Sequence, residues 1–408
     1  MIDSIKRKTT FNLQPIHQRV SVTFHYDVHF TTGLFQLGNP LLAQVIATDG
    51  ETSPKQLVAV VDAGFLRHHC GLLRQLAAYT DWYGDILTLG VEPIIVPGGE
   101  AAKNDPRLLE QIHKIINAVG LCRHSYVLAI GGGAVLDLVG YAAATAHRGI
   151  RLLRVPTTVL AQNDSCVGVK NGINAFGKKN FLGTFMPPYA VLSDFTFLTT
   201  LDDRDWRSGI AEAVKVALIK EADFFDFITT HAEALAHRDM DAMQQLIYRC
   251  AQLHLEHIAC SGDPFEMGSS RPLDFGHWAA HKLEHLTDYT LRHGEAVAIG
   301  IALDTTYSYL AGLLSRSEWQ RVLDTLKAVG FTLYVSELAE QLHRQEHPRC
   351  LFRGLAEFRE HLGGELTLML LQGIGQGMEV HQVDMSLYMQ AIFRLREFSE
   401  VRQTVGSV

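Results

Sequence analysis

Short apolar runs separated by amphipathic segments fill the first half of the chain. Residues 18–30 alternate apolar and polar side chains, whereas Leu57–Val61, Ile94–Val96 and Tyr126–Ile130 are continuously apolar. Alternation with a period of two is typical of a half-buried strand, and a short apolar run is typical of a strand buried on both faces. The pattern therefore predicts a strand at each of these places.

Helical patterns lie between the predicted strands. Leu66–Tyr79 has helical periodicity, and Asp105-Pro106 supplies an N-cap followed by a proline in the first helical turn. This second helix ends at Gly120, and its apolar stripe consists of Leu109, Ile112, Ile115, Ile116 and Val119. Strands that alternate with helices predict a doubly wound parallel sheet, the Rossmann-like α/β architecture.

The pattern changes after about Thr200, where strand-like runs almost disappear. Helical periodicity extends through Asp205–Cys260, His277–Leu314 and Ser317–Gly330. Only Leu366–Leu371 has the pattern of a late strand. A region this rich in amphipathic helices predicts an all-α or mainly helical domain.

Two domains are expected from this change of pattern and from the length of 408 residues, which exceeds one ordinary hydrophobic core. We predict an α/β N-terminal domain over residues 1–199 and a mainly helical C-terminal domain over residues 200–408, with the boundary near Phe197–Asp202. The hydrophobic content of 47% and the charged content of 20% are typical of globular proteins.

Charge and cysteine content disfavour several classes of protein. The 36 basic and 44 acidic residues give a net charge of −8, which disfavours a surface for nucleic acid or anionic membrane. The six cysteines form no C-x-x-C pair and indicate reduced thiols, and no run is long and apolar enough to span a bilayer. We therefore expect a cytoplasmic enzyme with no nucleic-acid or membrane partner.

Glycines and carboxylates follow the predicted strands. Gly131–Gly133 separates a buried strand from a helix that begins near Ala134, so its backbone amides can approach a pyrophosphate. The match to G-x-G-x-x-G is imperfect because Leu136 replaces the third glycine, and a structural turn fits almost as well. Asp62 and Gly99–Lys103 follow two other strands, where they either contact a ribose or line a solvated loop.

A lysine-rich segment lies between Val167 and Gly183. Its ammonium and amide groups suit a phosphate, and Arg148 upstream can join them. A solvated loop with surface lysines fits the same segment equally well. The polar members are Lys170, Asn171, Lys178, Lys179 and Asn180.

One acid and several histidines in the helical half have the spacing of a metal site. Glu212 and Lys215 are three residues apart, and His277 and His281 are four apart, so each pair shares a helix face. With His293, one acid and two histidines would make an open three-ligand site of the kind found in catalytic zinc centres. Because the chain contains 20 histidines, a purely structural origin of the spacing remains open.

Taken together, these motifs resemble the sugar phosphate cyclase family, whose best-known member is 3-dehydroquinate synthase. The similarity extends through most of residues 62–300. The matching runs are Gly131–Gly140, Ala144–Gly149, Pro156–Thr158, Gln162–Ser165, Gly168–Lys170, Asn174, Gly177–Asn180, Glu212–Lys215, Gly276–His281, Glu284 and His293–Gly300.

The resemblance implies an NAD-binding N-terminal domain, a helical C-terminal domain, a Zn²⁺ or Co²⁺ ion between them, and usually a homodimer. The implied metal ligands are Glu212, His277 and His293, and the implied catalytic residues are Asp164, Lys170, Lys215 and His281. The implied substrate contacts are Lys179, Asn180, Arg271, Asp274 and Arg148, the last reaching the phosphate of a neighbouring subunit. The implied NAD contacts are Asp62, Glu100, Lys103, Gly132, Gly133, Asp137, Thr157, Thr158, Phe197 and Thr200.

The reaction implied by the resemblance uses NAD without consuming it. NAD oxidises one ring hydroxyl to a ketone whose oxygen the metal polarises, and the ketone acidifies the neighbouring C–H so that phosphate leaves. The bound NADH then returns the hydride, and ring opening followed by an intramolecular aldol step closes a carbocycle. The implied enzyme is a carbon–oxygen lyase that acts on a phosphorylated seven-carbon sugar.

The substrate pocket departs from that of 3-dehydroquinate synthase. Asp274 stands where that enzyme has an asparagine, and Arg271 lies three residues before it instead of four. No lysine occurs between Lys220 and Lys282, where that enzyme carries a substrate-binding lysine. A missing lysine and an added carboxylate make the pocket less suited to a substrate carboxylate. We therefore favour sedoheptulose 7-phosphate over 3-deoxy-arabino-heptulosonate 7-phosphate, which carries a carboxylate.

Residues 358–364, Phe-Arg-Glu-His-Leu-Gly-Gly, resemble the branch of the family that contains the 2-epi-5-epi-valiolone synthases. That branch acts on sedoheptulose 7-phosphate and commonly lacks the second histidine, which this chain keeps as His281. The motif therefore supports the same substrate.

Three alternatives remain: a true 3-dehydroquinate synthase, an NAD- and metal-dependent polyol dehydrogenase of the glycerol dehydrogenase type, and a non-catalytic protein that kept the fold. The lysine set disfavours the dehydrogenase, because an unphosphorylated polyol does not need it. Intact Glu212, Lys215, His277 and His293 disfavour the non-catalytic protein.

Overall fold

The computed structural model describes residues 14–48, 50, 53–265, 268, 272–361 and 364–403. Its strands are β1 (Asp27–Thr31), β2 (Lys55–Asp62), β3 (Leu87–Leu89), β4 (Ile94–Val96), β5 (Tyr126–Gly131), β6 (Arg151–Pro156), β7 (Lys170–Ala175), β8 (Lys178–Phe185), β9 (Ala190–Asp194), β10 (Leu368–Gly373) and β11 (Gln376–Val380). Its first six helices are α1 (Leu41–Ala47), α2 (Ala63–His68), α3 (Leu72–Trp82), α4 (Ala101–Asn104), α5 (Pro106–Val119) and α6 (Gly133–Thr145). The others are α7 (Asp203–Lys220), α8 (Ala222–Thr230), α9 (Ala232–Ala236), α10 (Met240–Cys260), α11 (His277–Leu286), α12 (His293–Leu310), α13 (Arg316–Val329), α14 (Arg353–His361) and α15 (Met385–Gln403).

A parallel sheet organises the N-terminal half. Its strand order is β1-β9-β6-β5-β2-β3, and β4 also pairs with β2. Alternate residues of β2 lie in two separate cores, with Val58 and Val60 on one face and Leu57, Ala59 and Val61 on the other. Helices α5 and α6 contribute to the first core, and α1 and α3 contribute to the second. The predicted doubly wound α/β architecture is confirmed, and burial on both faces explains the continuous apolar run.

Two predicted elements of this half have different bounds in the structure. Within residues 18–30 only Asp27–Thr31 pairs as a strand, at the edge of the sheet beside β9, and the residues before it are largely exposed. The predicted helix Leu66–Tyr79 is two helices, because α2 ends at His68 and α3 begins after Gly71.

The lysine-rich segment forms an antiparallel hairpin of β7 and β8. Lys170 pairs with Phe185, and Ala175 pairs with Lys178 across the turn. Strand β7 packs closely on α6, since a Cβ atom built on Gly140 would lie 1.8 Å from the Asn171 side-chain oxygen. The segment is therefore an ordered hairpin and not the solvated loop that its composition also fits.

The C-terminal half is mainly helical, as predicted, but it also contains the small β10–β11 hairpin. The predicted late strand Leu366–Leu371 begins two residues later, at Leu368, and it pairs with β11. The predicted helical stretch Asp205–Cys260 is divided into the four helices α7 to α10. Among the described residues, we find no helix with the length and apolar character needed to cross a membrane.

The transition between the two halves lies in the 3-10 turn Phe195–Thr200, between β9 and α7. Phe195 and Leu198 pack in the core of the helical half, whereas Phe197 packs in a core of the sheet. The turn therefore contacts both halves. We retain the predicted domains, 1–199 and 200–408, as a proposal.

Candidate active site

Four neighbouring strands end at one edge of the sheet. β2 and β4 end together at the pair Asp62 and Val96, and β5 and β6 end together at the pair Gly131 and Pro156. Loops that follow the carboxyl ends of parallel strands meet at the same edge, where open α/β sheets bind their ligands. We refer to these four strand ends as the sheet edge.

The Asp62 carboxylate lies at the sheet edge and caps a helix. One of its oxygens accepts hydrogen bonds from the backbone N–H groups of Gly64 at 2.6 Å and Phe65 at 3.2 Å, at the start of α2. A Cβ atom on Gly98 would lie 2.5 Å from the same oxygen, so glycine is needed for the loop after β4 to approach it. The predicted ribose contact thus also stabilises the N-terminus of a helix.

The glycine loop begins helix α6 at the same edge. Gly132 is the N-cap of α6, and a Cβ atom on Gly133 would lie 2.7 Å from the Ser165 hydroxyl oxygen. The backbone N–H of Thr157 donates to the Gly131 carbonyl at 3.0 Å, which places Thr157 and Thr158 beside the loop. A helix N-terminus with glycines at its start can bind an anion such as a pyrophosphate.

A buried lysine joins three elements near the glycine loop. Lys103 is 5% exposed and donates to the Asp137 carboxylate of α6 at 2.8 Å and to the side-chain oxygen of Asn180 on β8. Burial raises the pKa of Asp137, and the ammonium of Lys103 opposes that shift. Glu100 accepts a hydrogen bond from Asn174 at 2.8 Å in the same region.

Phe197 and Thr200 lie at the carboxyl end of β9. Phe197 lines a cavity of about 180 Å³ together with Phe35, His69 and Asp194. The Thr200 hydroxyl lies 2.8 Å from Nε2 of His69, a residue that sequence reasoning did not select. Phe197 also contacts the ring of Phe65 in α2, the helix that begins at the sheet edge.

A buried arginine positions the segment that leads into β7. Arg154 is 1% exposed and donates from its Nη atoms to the carbonyl oxygens of Cys166 at 2.8 Å, Gly168 at 2.7 Å and Lys170 at 2.9 Å. Its fourth hydrogen bond, at 2.7 Å, goes to the side-chain oxygen of Asn171. The two Nη atoms of the guanidinium therefore fix the backbone that carries Lys170 through these four hydrogen bonds.

Asp164 connects the glycine loop to the helical half. It lies in the π-helical turn Ala161–Ser165, one residue from the hydroxyl that packs on Gly133. One oxygen of Asp164 is 3.8 Å from Nζ of Lys215 and 3.0 Å from Nδ1 of His254. The glycine loop and the buried lysine of α7 thus belong to one continuous site.

Glu212 stands at the centre of the predicted metal cluster. Its carboxylate is 0% exposed and approaches Nε2 of His277 at 3.6 Å and Nε2 of His293 at 3.3 Å. Nζ of Lys215 lies 2.5 Å from its second oxygen. Ligand atoms of Glu212, His277 and His293 all lie within 4.8 Å of one another. The structure brings together all three predicted ligands.

The charges in this cluster depend on one another. Burial by itself would raise the pKa of Glu212, but Lys215 and His277 outweigh it and hold that pKa well below its usual range. Burial would lower the pKa of Lys215, but Glu212 and Asp164 raise it. Burial would also lower the pKa of His293, yet Glu212 and Glu284 raise it to about 10. The cluster therefore holds its carboxylate and ammonium groups ionised.

The two candidate histidine ligands have fixed orientations. Nδ1 of His277 lies 3.1 Å from the Phe275 carbonyl oxygen, and Nδ1 of His293 lies 3.4 Å from Oε2 of Glu284. In a neutral imidazole with its proton on Nδ1, the lone pair of Nε2 is directed at the space beside Glu212, so a metal ion that binds there must displace the second proton that the raised pKa of His293 favours.

The residues fit a divalent transition metal. Within the described part of the chain, neither buried oxygen of Glu212 has a partner with hydrogen-bond geometry. Two imidazole nitrogens and one carboxylate oxygen are the donor set of many catalytic zinc sites. A cation bound by Glu212, His277 and His293 would satisfy Oε1, which faces both histidines, while Oε2 stays beside the Lys215 ammonium.

The remaining predicted substrate contacts lie in different surroundings. Nζ of Lys179 lies 2.9 Å from Glu284, and Asp274 is near enough to Lys215 to raise its pKa. Arg148 is exposed, with a left-handed φ of 62°. Arg271 lies outside the described residues. His281 is half-exposed beside Glu284, at 3.3 Å.

Sequence reasoning gave no role to Arg154, His254 or Glu284. An arginine inside an apolar strand requires buried acceptors, and this was the available signal for Arg154. Glu284 lies three residues after His281, so the two share a helix face. The contact of His254 with Asp164 joins α10 to the turn after β6 and has no signal in local spacing.

Comparison with known proteins places this geometry in a family. The family models of the 3-dehydroquinate synthase N-terminal and C-terminal domains match residues 93–208 and 209–347. A 3-dehydroquinate synthase from Ruegeria pomeroyi is 35% identical over 354 residues, which are 86% of this chain and 90% of the relative. The chain belongs to the 3-dehydroquinate synthase family. It is therefore a member of the sugar phosphate cyclase superfamily, as the sequence predicted.

Solved structures of sugar phosphate cyclases share the fold of this family member. ValA, a 2-epi-5-epi-valiolone synthase from Streptomyces hygroscopicus with NAD⁺ and Zn²⁺ bound, is 33% identical with a TM-score of 0.79 and covers 93% of this chain and 99% of its own. A 2-deoxy-scyllo-inosose synthase complexed with carbaglucose-6-phosphate, NAD⁺ and Co²⁺ is 23% identical with a TM-score of 0.72, covers 90% of this chain and 95% of its own, and shows the fold alone. The name of the curated relative fits the 3-dehydroquinate synthase alternative better than our preference for sedoheptulose 7-phosphate.

Proposed function

We propose that this protein is an NAD- and divalent-metal-dependent sugar phosphate cyclase, a carbon–oxygen lyase that converts a heptulose 7-phosphate into a carbocycle. The observation that carries the proposal is the cluster of Glu212, His277 and His293 beside the Lys215–Asp164 pair. The cluster adjoins the glycine loop through the turn that contains Asp164. Metal, cofactor and substrate sites in one continuous region are what this reaction requires.

We propose Glu212, His277 and His293 as ligands of Zn²⁺ or Co²⁺, in agreement with the Zn²⁺ bound to ValA. When bound, the ion would polarise a substrate oxygen and stabilise the negative charge that develops there. Lys215 keeps its proton, because its pKa is raised, and its ammonium can stabilise the same charge. Asp164 holds Lys215 from the other side.

We propose that NAD binds along the sheet edge, in agreement with the NAD⁺ bound to ValA. When bound, it would supply reversible hydride transfer. The chain contributes the N-terminus of α6 for the pyrophosphate and carboxylates for hydroxyl groups. The proposed contacts are Asp62, Glu100, Lys103, Gly132, Gly133, Asp137, Thr157, Thr158, Phe197 and Thr200.

We propose that the β7–β8 hairpin and helix α11 bind the sugar phosphate. Ammonium and amide donors suit a phosphate, and the hairpin carries Lys170, Lys179 and Asn180. His281 is accessible enough to hold or accept a proton at the substrate. The other proposed contacts are Arg148, Arg271 and Asp274.

The relatives support the 3-dehydroquinate synthase reaction as the first candidate, because they carry that name at 33–37% identity. Its substrate is 3-deoxy-arabino-heptulosonate 7-phosphate. A specific observation favours sedoheptulose 7-phosphate as the second candidate. His254 and the carboxylate of Asp274 lie beside the Asp164–Lys215 pair, and this mixture of charges favours a substrate without a carboxylate.

Phosphate release separates the two candidates. We would supply the protein with NAD and Zn²⁺ or Co²⁺ and compare the two heptulose 7-phosphates, with the Glu212→Ala variant as the inactive control. Release from 3-deoxy-arabino-heptulosonate 7-phosphate alone identifies a 3-dehydroquinate synthase, and release from sedoheptulose 7-phosphate alone identifies the other branch. Net NADH accumulation with glycerol, without phosphate release, would contradict the cyclase and support a polyol dehydrogenase.

We also propose a homodimer in the cytoplasm. The exposed Arg148, in a left-handed turn, has the placement expected of a residue that contacts a second subunit. Sedimentation equilibrium should give twice the chain mass of 45.4 kDa, and a monomer would contradict the dimer.

A further inference from the structure

The Glu284 carboxylate connects three side chains from three elements. It is 5% exposed on α11 and approaches His281 of the same helix, His293 of α12 and Lys179 of β8. A buried carboxylate is costly unless its oxygens are paired. Here both oxygens are paired with groups of the candidate site, so Glu284 is part of how that site is built.

One oxygen of Glu284 orients a candidate metal ligand. Oε2 lies 3.4 Å from Nδ1 of His293, whose Nε2 lies 3.3 Å from Glu212. The imidazole therefore stands between two carboxylates. If the proton is on Nδ1, it is donated to Glu284, and the Nε2 lone pair is left for a cation beside Glu212.

The other oxygen holds a lysine of the opposite half of the molecule. Oε1 accepts a hydrogen bond from Nζ of Lys179 at 2.9 Å, and that ammonium also lies 5.2 Å from the centre of the Tyr289 ring. Because Oε2 contacts His293 and Oε1 contacts Lys179, the carboxylate links the position of the His293 ring to the position of the hairpin. One carboxylate thus positions both the imidazole of His293, which faces the metal site, and the ammonium of Lys179, which faces the substrate site.

Ligand atoms of His281, Glu284 and His293 also lie within 4.8 Å of one another, which is the spacing of a second cation site. The ammonium of Lys179 already pairs with Glu284 at 2.9 Å and would repel such a cation. The geometry therefore favours orientation of His293 over a second metal.

We propose that Glu284 is a positioning residue that fixes the tautomer and ring orientation of His293 for metal binding and holds Lys179 toward the substrate. This inference rests on the proposed function for the identity of the metal ligands. It predicts that Glu284 affects metal affinity in the absence of any substrate.

The test is the affinity of purified, substrate-free protein for Zn²⁺ and Co²⁺, measured by competition with a chelator, together with metal stoichiometry. We expect Glu284→Ala to bind either ion about 10- to 100-fold more weakly than wild type, which is the usual effect of removing a carboxylate behind a histidine ligand. Glu284→Gln retains an oxygen that can accept a hydrogen bond from Nδ1 of His293, so its metal affinity should fall less than that of Glu284→Ala. This difference would identify the orientation of His293 as the cause.

Glu360→Ala is the matched control. Glu360 of α14 pairs at 3.0 Å with Lys178, the residue before Lys179, but this pair is exposed and contains no candidate ligand. Its substitution should leave metal affinity unchanged. Lys179→Ala should raise KM for the phosphorylated substrate, whereas Glu284→Ala should both raise KM and weaken metal binding.

The outcomes separate this inference from the proposed function. Wild-type metal affinity in Glu284→Ala, with metal lost in Glu212→Ala, overturns the positioning role alone. Retained metal in Glu212→Ala overturns the proposed ligand set instead. Two metal ions per wild-type chain, reduced to one by Glu284→Ala, would replace the positioning role with a second site. If circular dichroism in the presence of chelator shows that Glu284→Ala does not fold, the metal affinity of Glu284→Gln is compared with wild type instead, and the same outcomes apply.

Discussion

Two buried carboxylates of the helical half have opposite chemistry. Glu212 and Asp304 are 0% and 1% exposed, so burial disfavours the charge of both. Lys215 and two histidines surround Glu212, and its pKa is held well below the usual range. All the hydrogen-bond donors to Asp304 in the described part of the chain are neutral, and burial raises its pKa to about 7. The charge of the partners, and not the depth of burial, decides which carboxylate remains ionised.

The two sites also differ in how completely their oxygens are paired. Asp304 accepts hydrogen bonds from Trp278 at 3.0 Å, Tyr388 at 2.8 Å and the Gly276 backbone at 3.2 Å. Glu212, in contrast, has the Lys215 ammonium beside Oε2, while Oε1 faces Nε2 of His277 and of His293. A carboxylate whose oxygens are all hydrogen-bonded has a structural role, whereas an oxygen that faces two imidazole nitrogens is available to a metal ion. Asp304 thus fixes the first turn of α11, which presents His277 to Glu212.

The largest effect is expected when the ionised carboxylate of Glu212 is removed. Glu212→Ala, and equally His277→Ala, should lose bound metal and reduce phosphate release by at least about a thousandfold, because a catalytic metal stabilises the transition state by several kcal/mol. Metal content and phosphate release measured on the same folded sample provide the check. Stoichiometric zinc in both variants would show that Glu212 does not bind the metal, and Glu212 would then not differ from Asp304 in this respect.

The second effect is a pH dependence of stability that belongs to Asp304. Because its folded-state pKa is raised from 3.8 to about 7, the folded protein keeps this proton after the unfolded chain has lost it. The corresponding stability is complete below pH 4 and is lost as the pH rises towards 7. Between pH 5 and pH 8 the loss is on the order of 2–3 kcal/mol.

Asp304→Asn tests this directly, because it removes the titration. Urea unfolding of wild type and variant should give a stability difference that shifts in favour of the variant as the pH rises from 5 to 8. A difference independent of pH would mean that Asp304 is ionised throughout, like Glu212, and that its three donors outweigh its burial.

The third effect is smaller and has the opposite pH dependence. Tyr388→Phe removes one donor to Asp304, so it should destabilise the protein by about 1–2 kcal/mol at pH 8, where the carboxylate is charged, and by less at pH 5. The same unfolding measurements at both pH values are sufficient. A larger cost at pH 5 would contradict the hydrogen-bond assignment.

The smallest effect is expected at an exposed carboxylate. Glu360 is 73% exposed and pairs with Lys178, which is 60% exposed. Its replacement by alanine should leave the unfolding midpoint unchanged within error, because solvent-exposed ion pairs contribute little. A clear destabilisation would indicate that the hairpin depends on this contact more than its exposure suggests.

The sheet and its edge could be predicted from the sequence because continuous apolar runs such as Leu57–Val61 permit few other structures. The ends of those runs place Asp62 and Gly131 directly after predicted strands, and the parallel pairing of β2 with β5 brings both to one edge of the sheet. The β7–β8 hairpin could not be predicted, because its strands contain glycines and lysines and no regular alternation. Its order comes from Arg154 and from α6, which are contacts distant in sequence.

The metal cluster was predicted in a different way. Spacing placed His277 and His281 on one helix face, but only the resemblance to known cyclases selected His277 and His293 as ligands with Glu212. The contact between α7, α11 and α12 that brings the three together is tertiary and has no local signal. Glu284 was missed as a functional residue because its role appears only when the other nitrogen of His293 is located.

The β7–β8 hairpin has only two strands, and a hairpin of two strands is marginally stable in water by itself. Within the N-terminal half it packs on α6 and is held by Arg154, and its Lys179 pairs with the buried Glu284 of the helical half. A fragment ending at residue 199 would keep the sheet, the glycine loop and the contacts with α6 and Arg154, but it would lose the contact between Lys179 and Glu284. In evolutionary terms, recombination with another family member would need to keep Lys179 of the hairpin matched to Glu284 of α11.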